Sequence, residues 1–279
     1  MRIGISSLAW DAAEDEAVAA LLHAQQVEAV DLVPGRFFTG GIPTARLAAQ
    51  VRNWWGQRGI HITGMQALMF GTTGLNLFAD LQTRTAMLAH LENICRFGRD
   101  VGATRLVFGS PKCRDRSGLS DAQAQSMATS FFRRLGDVAA QYGVVICLEP
   151  NPPRYGANFM INSAETVQVV ATVAHPAIRM QLDTGALAIN GEDPEQVVRD
   201  YGAWIGHVHA SEPDLAVLGD GAADHARTAA ALVARLPAVA VVIEMLPAKQ
   251  EAHLTAIRRA LQVAKHHYCS SAQPAEPAP

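Results

Sequence analysis

The chain has few cysteines, no long apolar run and no excess of charge of one sign. Cys95, Cys113, Cys147 and Cys269 are its 4 cysteines in 279 residues, and no two form a CxxC pair. That argues against a disulfide framework and points to a reducing, cytoplasmic setting. No window reaches the roughly 18 continuous apolar residues of a membrane span. The opening "MRIGISSLAWDAAEDE" holds an apolar run too short for a signal sequence and then turns acidic. Lys and Arg total 23 against 26 Asp and Glu, a formal net charge of −3. No basic footprint for nucleic acid or an anionic membrane is left, so neither is expected as a partner. "GDGAADH", residues 219–225, lacks the G-x-G-x-x-G spacing of a dinucleotide site. Asp224 there reads as a helix cap and His225 as structural.

What is present is one pattern, repeated. Short apolar runs alternate with amphipathic stretches of helical spacing. The strand-like runs are "RIGISSLAW", "VEAVDLV", "IHITGMQAL", "TRLVFGS", "VVICLEP", "IRMQLDTG", "WIGHVHASEP" and "AVAVVIEML". Between them lie helical stretches with recognisable ends: Gly102 and Gly143 as stops, Ser163 as a cap, Pro194 at a first helical position. Several strand runs are apolar throughout, as in a parallel sheet buried on both faces. Eight such units predict a single-domain α/β protein, a (β/α)8 barrel over residues 1–267, with a doubly wound open sheet as rival. The Pro- and Ala-rich stretch 268–279 is expected to be a disordered tail.

In such a barrel, chemistry sits where strands end. Strand five ends in Glu149, strand six in Asp183 and strand eight in Glu244, while strand seven carries His207 and His209. Alone, each acid could be a helix cap or a solvated loop residue. Together they recur about one β–α unit apart and fall on one rim. Three converging carboxylates repel one another and lose hydration unless a cation joins them. Three oxygen donors and one imidazole suit Mn²⁺, with Mg²⁺, Co²⁺ or Zn²⁺ as alternatives. His207, two residues before His209, faces the same interior one layer deeper; it reads as a buried histidine or a substrate contact.

"CLEPN", "QLDTG", "GHVHASEP" and "VIEM", in that order, resemble the xylose isomerase-like barrels, a family of sugar phosphate isomerases and epimerases with endonuclease relatives. The resemblance runs to about residue 266. It implies that Glu149, Asp183, His209 and Glu244 hold a divalent metal. It also implies that Glu149 and Glu244 flank the substrate and move a proton beside its carbonyl. The implied substrate is a small polyhydroxylated carbonyl compound: a sugar, a sugar phosphate or a related hydroxy-ketone. A dehydratase of a keto-sugar or keto-cyclitol on the same site is the alternative, ahead of a nuclease or a non-catalytic barrel. The ketose 3-epimerases of the family carry a His where this chain has Ala186 and an Arg where it has Leu215, and their second Glu after strand five is missing here. The extra early-strand ligands of the endonucleases are missing from "HITGMQALMFG" and "RLVFGSPK".

Further candidates follow from position on the rim. Lys112 could meet a carboxylate or phosphate. Asn151, Arg154, Tyr155 and Asn158 lie in the stiff loop "EPNPPRYGANF", and Glu212 just past strand seven. Gln66 ends strand three, and "MFGTTGLNLF" beyond it reads as a lid or a packed loop. Trp10 either walls the pocket or belongs to the core. "RNWWGQR" offers a surface for a homo-oligomer unless Trp54 and Trp55 turn inward.

Overall fold

Eight apolar runs become eight parallel strands in the computed structural model, which describes residues 1–39 and 41–269. They are β1 (Arg2–Ser6), β2 (Ala29–Leu32), β3 (His61–Met65), β4 (Arg105–Phe108), β5 (Val145–Leu148), β6 (Ile178–Asp183), β7 (Ile205–Ser211) and β8 (Ala240–Glu244). Each pairs with the next, and β1 also pairs with β8. The sheet is therefore a closed barrel, not an open doubly wound sheet.

The helices cover it in sequence order: α1 (Asp15–Ala24), α2 (Ala45–Gly56), α3 (Leu81–Val101), α4 (Asp121–Gln141), α5 (Ser163–Val173), α6 (Thr184–Asn190), α7 (Pro194–Tyr201), α8 (His225–Arg235) and α9 (His253–Tyr268). Local chemistry sets their ends. The Asp80 side chain accepts from the Thr83 amide at 2.8 Å, and Asp224 from that of Arg227 at 2.9 Å, so Asp224 is the expected cap. Pro194 opens α7, where its missing N–H costs nothing. Gly102 ends α3 with φ +95°, a left-handed conformation that glycine adopts without strain. The cap of α5 is Asn162, one residue before the expected Ser163; its Oδ1 accepts from Glu165 N at 2.8 Å. Seven-residue α6 had no place in the sequence pattern, being too short for an amphipathic repeat.

Close approach fixes how the layers meet. Gly98 of α3 sits so near the sheet that a Cβ there would lie 3.1 Å from Leu106 and Met65 side-chain atoms. Trp10 is a core residue, 1% exposed, with Nε1 donating to Asp15 at 2.7 Å. Trp55 is buried, and the half-buried Trp54 stacks edge-on against it under the Arg58 guanidinium, 3.9 Å from its ring centroid. These rings pack inward and leave no bare aromatic patch. Helix α9 runs one residue past the expected boundary, through the buried Tyr268; residues 270–279 of the expected tail lie outside those described. Among the described residues no helix is long and apolar enough to cross a membrane.

Of the strand glycines Gly4, Gly64 and Gly206, Gly64 in β3 has the closest neighbours. A Cβ there would fall 2.5 Å from Asp31 Oδ2 and 2.8 Å from the Arg105 carbonyl. Backbone cannot yield as a side-chain tip can. Gly64→Ala should cost about 1–3 kcal/mol, read as a lower urea midpoint at unchanged slope.

Candidate metal and proton-transfer site

Four strand ends deliver four potential metal ligands to one rim. Glu149 follows β5 directly, and its amide continues the ladder to Phe108 O at 3.0 Å. Asp183 closes β6 and is level with His209 in β7. Glu244 closes β8, level with Ser211. One ligand atom from each of Glu149, Asp183, His209 and Glu244 lies within 4.8 Å of the others. His209 turns Nδ1 to the cluster, 3.1 Å from Glu244 and 3.9 Å from Glu149.

Their environment is hostile to three negative charges. Burial first, then the charges of Glu244 and Asp183, pushes Glu149 up to about 8. Burial raises Glu244 to about 7 against hydrogen bonds from Gln66 and Asp183, and raises Asp183 to about 6 with help from the Glu244 charge. A divalent cation would relieve both the repulsion and the lost hydration. The donor set fits one: three hard oxygens, one imidazole nitrogen, no thiolate. Gly109 keeps the cradle open, since a Cβ there would overlap Glu149 Oε2.

Other side chains hold these four residues in place. Asn151 donates to Glu149 Oε2 at 2.9 Å and accepts from Arg114, which also donates to the Glu149 carbonyl at 2.8 Å. Gln66 donates to Glu244 Oε1. Asp183 Oδ2 accepts from Ser211 Oγ and its Oδ1 from Ala186 N, both at 2.7 Å, so this acid caps α6 while facing the cluster. One layer deeper, His207 Nε2 approaches Asp31 Oδ2 to 2.8 Å, though not along a well-aligned hydrogen bond. Burial works against the Asp31 charge, but His207 outweighs it and holds the carboxyl below its ordinary value. His207 thus pairs with Asp31 and packs edge-on against the His209 ring, centroids 5.0 Å apart, without joining the cluster of four.

Sequence reading missed Arg114, Ser211, Gly109 and Asp31. Only Asp31 had a signal, an acid inside the apolar run "VEAVDLV". Arg114 is fully buried yet looks like its neighbours in "PKCRDR".

A cavity of about 450 Å³ opens above the cluster, lined by Gln66, Glu149 and Glu244 at its floor and by Phe70, Lys112, Tyr155 and Leu215 higher up. Lys112 is exposed there. Tyr155 accepts from Asp214 N at 2.7 Å, and Arg154 pairs with Asp214, joining the loops after β5 and β7. Asn158 instead joins Arg116, Asp115 and Ser117 outside the cavity. Glu212 is not at the rim: it is 1% exposed, and its oxygens accept from Gly219 N, Ala223 N and His225. His225 is structural, as expected. In the loop after β3, Phe70 is 71% exposed while Leu77 is buried, so only part of that segment packs down.

Comparison with known proteins agrees with the fold. The sequence model of the xylose isomerase-like TIM barrel family matches residues 19–266. Over 90 residues the chain is 34% identical to D-psicose 3-epimerase of Ruminiclostridium cellulolyticum. That stretch is 32% of this chain and 30% of the relative, under a third of the relative's length. Among solved structures, D-psicose 3-epimerase with D-fructose superposes with TM-score 0.80 at 18% identity, over 97% of this chain and 100% of that one. 3-Keto-D-glucoside 4-epimerase from E. coli gives 0.77 at 17%, over 94% and 99%. The IOLI protein with a bound zinc atom gives 0.75 at 14%, over 96% and 98%. At such identities the superpositions speak for the fold.

The raised carboxyls predict an inverted pH response. A carboxyl whose folded value is raised binds its proton more tightly folded than unfolded. Its contribution is full below about 4.5 and is lost as pH rises through about 8. Chelator-treated protein should therefore unfold at lower temperature at pH 8.5 than at pH 5.5, in scanning calorimetry at about constant salt. Added Mn²⁺ should restore more stability at the higher pH, because binding displaces protons.

Proposed function

Because the chain belongs to the xylose isomerase-like TIM barrel family, we propose that it is a divalent-metal-dependent epimerase or isomerase of a small sugar, sugar phosphate or related hydroxy-ketone. The observation that carries this reading is the pair Glu149 and Glu244, both on the cavity floor and both raised toward neutrality. A general acid or base works best when it titrates near the working pH. The printed activities of the relatives, a D-psicose 3-epimerase and a 3-keto-D-glucoside 4-epimerase, support the same chemistry.

Glu149, Asp183, His209 and Glu244 would hold the ion, Mn²⁺ by the donor set, with Mg²⁺, Co²⁺ and Zn²⁺ as competitors. Bound there, it would supply Lewis-acid polarisation of the substrate carbonyl. Proton movement belongs to the chain. Both Asp183 oxygens are tied to Ser211 and Ala186, which leaves the two glutamates. One takes the proton from the carbon beside the carbonyl, and the other returns one to the opposite face. Asn151 and Gln66 fix the two carboxylates in position. Lys112 and Tyr155 face the far end of the substrate, and Phe70 and Leu215 limit water. The free cysteines fit a cytoplasmic location.

One observation favours the dehydratase as a second reading. Leu215 puts an apolar side chain at the cavity wall, where the resembling ketose 3-epimerases place an Arg. A substrate other than a free ketose would suit that wall, and the abstraction step is shared.

Incubation of ketoses and keto-cyclitols with the Mn²⁺-loaded protein in D₂O separates the outcomes. Deuterium beside the carbonyl with mass otherwise conserved is expected. Glu149→Gln or Glu244→Gln should slow exchange by roughly 10²–10⁴-fold. Loss of water would identify the dehydratase. No exchange with any carbonyl compound would overturn both readings.

A further inference from the structure

The opposite end of the barrel holds a second cavity, of about 540 Å³, with a different chemistry. Arg105 at the start of β4, Arg179 near the start of β6 and Arg235 at the end of α8 all line it. No Asp or Glu lines it. Among the described residues none of the three arginines forms an ion pair. Arg105 and Arg179 bond neutral carbonyls instead. Arg105 Nε donates to Gly206 O at 3.0 Å and its Nη1 to Thr104 O at 3.2 Å, while Arg179 Nη2 donates to Ala203 O. These bonds orient the forks without cancelling their charge, and each fork keeps N–H groups to spare.

The cleft is shaped around these side chains. A Cβ at Gly206 would fall 2.7 Å from Arg179 Cβ, 3.1 Å from its Cγ and 3.1 Å from Cys147 Sγ. Glycine in β7 thus makes room for the Arg179 stem, and the Gly206 carbonyl receives Arg105. The Arg105 guanidinium and the Arg179 stem, from non-adjacent strands, meet at one residue, and both side chains line the same cleft. Bringing like charges together in a cleft without a counter-charge is unfavourable, and a planar fork is the best match to phosphate oxygens. Leu236, Pro237 and Ile205 give the same cavity an apolar wall. Its volume falls within the range of small-molecule sites.

We propose that this cleft is an anion site that binds a phosphate monoester of metabolite size, its phosphate on Arg105, Arg179 and Arg235 and its carbon body on the apolar wall. The site is separate from the proton-transfer centre and does not depend on the function proposed for that centre.

Isothermal titration of the metal-loaded protein with inorganic phosphate and with phenyl phosphate, at constant ionic strength in chloride, tests it. Saturable binding is expected, tighter for phenyl phosphate. Arg179→Gln and Arg235→Gln should each raise Kd by roughly tenfold, as loss of a charged hydrogen bond implies. Arg179→Lys should recover part of the loss. Lys112→Gln and Glu149→Gln, at the other end of the barrel, should change nothing. Arg235 is exposed, so its variant decides the matter if Arg179→Gln fails to fold. The proposal fails if wild type shows no saturable binding, or if both arginine variants stay within about twofold of it. It fails equally if Lys112→Gln or Glu149→Gln abolishes binding, which would seat the anion on the upper rim.

Discussion

Three carboxylates share one buried rim with a single imidazole, and much of the surrounding structure answers that crowding. Left alone, they repel one another and hold protons well above their usual range. A barrel tolerates this because each acid closes a different strand, so the ladder and not the side chains sets the spacing. Asn151, Gln66 and Ser211 each donate to one of the acids. Arg114, buried behind Asn151, adds a buried positive charge on that side. An arrangement this costly in a folded chain is informative, since stability alone would favour apolar replacements.

The polar groups of the barrel form tiers along its axis. Glu149, Asp183, His209 and Glu244 make the upper tier, Asp31 and His207 the next, and the three arginines the lower mouth. Strand β7 passes through all of them: Gly206 accommodates Arg179, His207 meets Asp31, His209 joins the upper tier and Ser211 supports Asp183. His207, His209 and Ser211 share one strand face at a spacing of two, and Gly206 lies in the register shift just before them. Strand β7 is therefore a vertical section through the molecule.

How much of this was legible in the sequence follows from range. Strand ends recur once per β–α unit, so Glu149, Asp183, His209 and Glu244 could be aligned without knowing any contact. Capping is also local, and Asp224 and Pro194 announced their helices. Helix α6 did not, because seven residues are too few to show an amphipathic repeat. Arg114 depends on a loop folding back to Asn151, 37 residues away, and no nearby pattern encodes that. Glu212 looked like a rim residue because it follows a strand. Its fate was set by the backbone at Gly219 and Ala223 closing over it.

The link between the loops after β5 and β7 bears on how the cavity opens. Its exposed ion pair, Arg154 with Asp214, contributes little, and the hydrogen bond from Asp214 N to Tyr155 brings the whole to about 1–2 kcal/mol. Against it stand Asp214 and Leu215, held left-handed at φ +59° and +54°. Each carries backbone strain of about 1–3 kcal/mol. The strap between the two loops is therefore a near-balance of one hydrogen bond and one exposed ion pair against two strained residues, and adds little net stability to the mouth of the cavity.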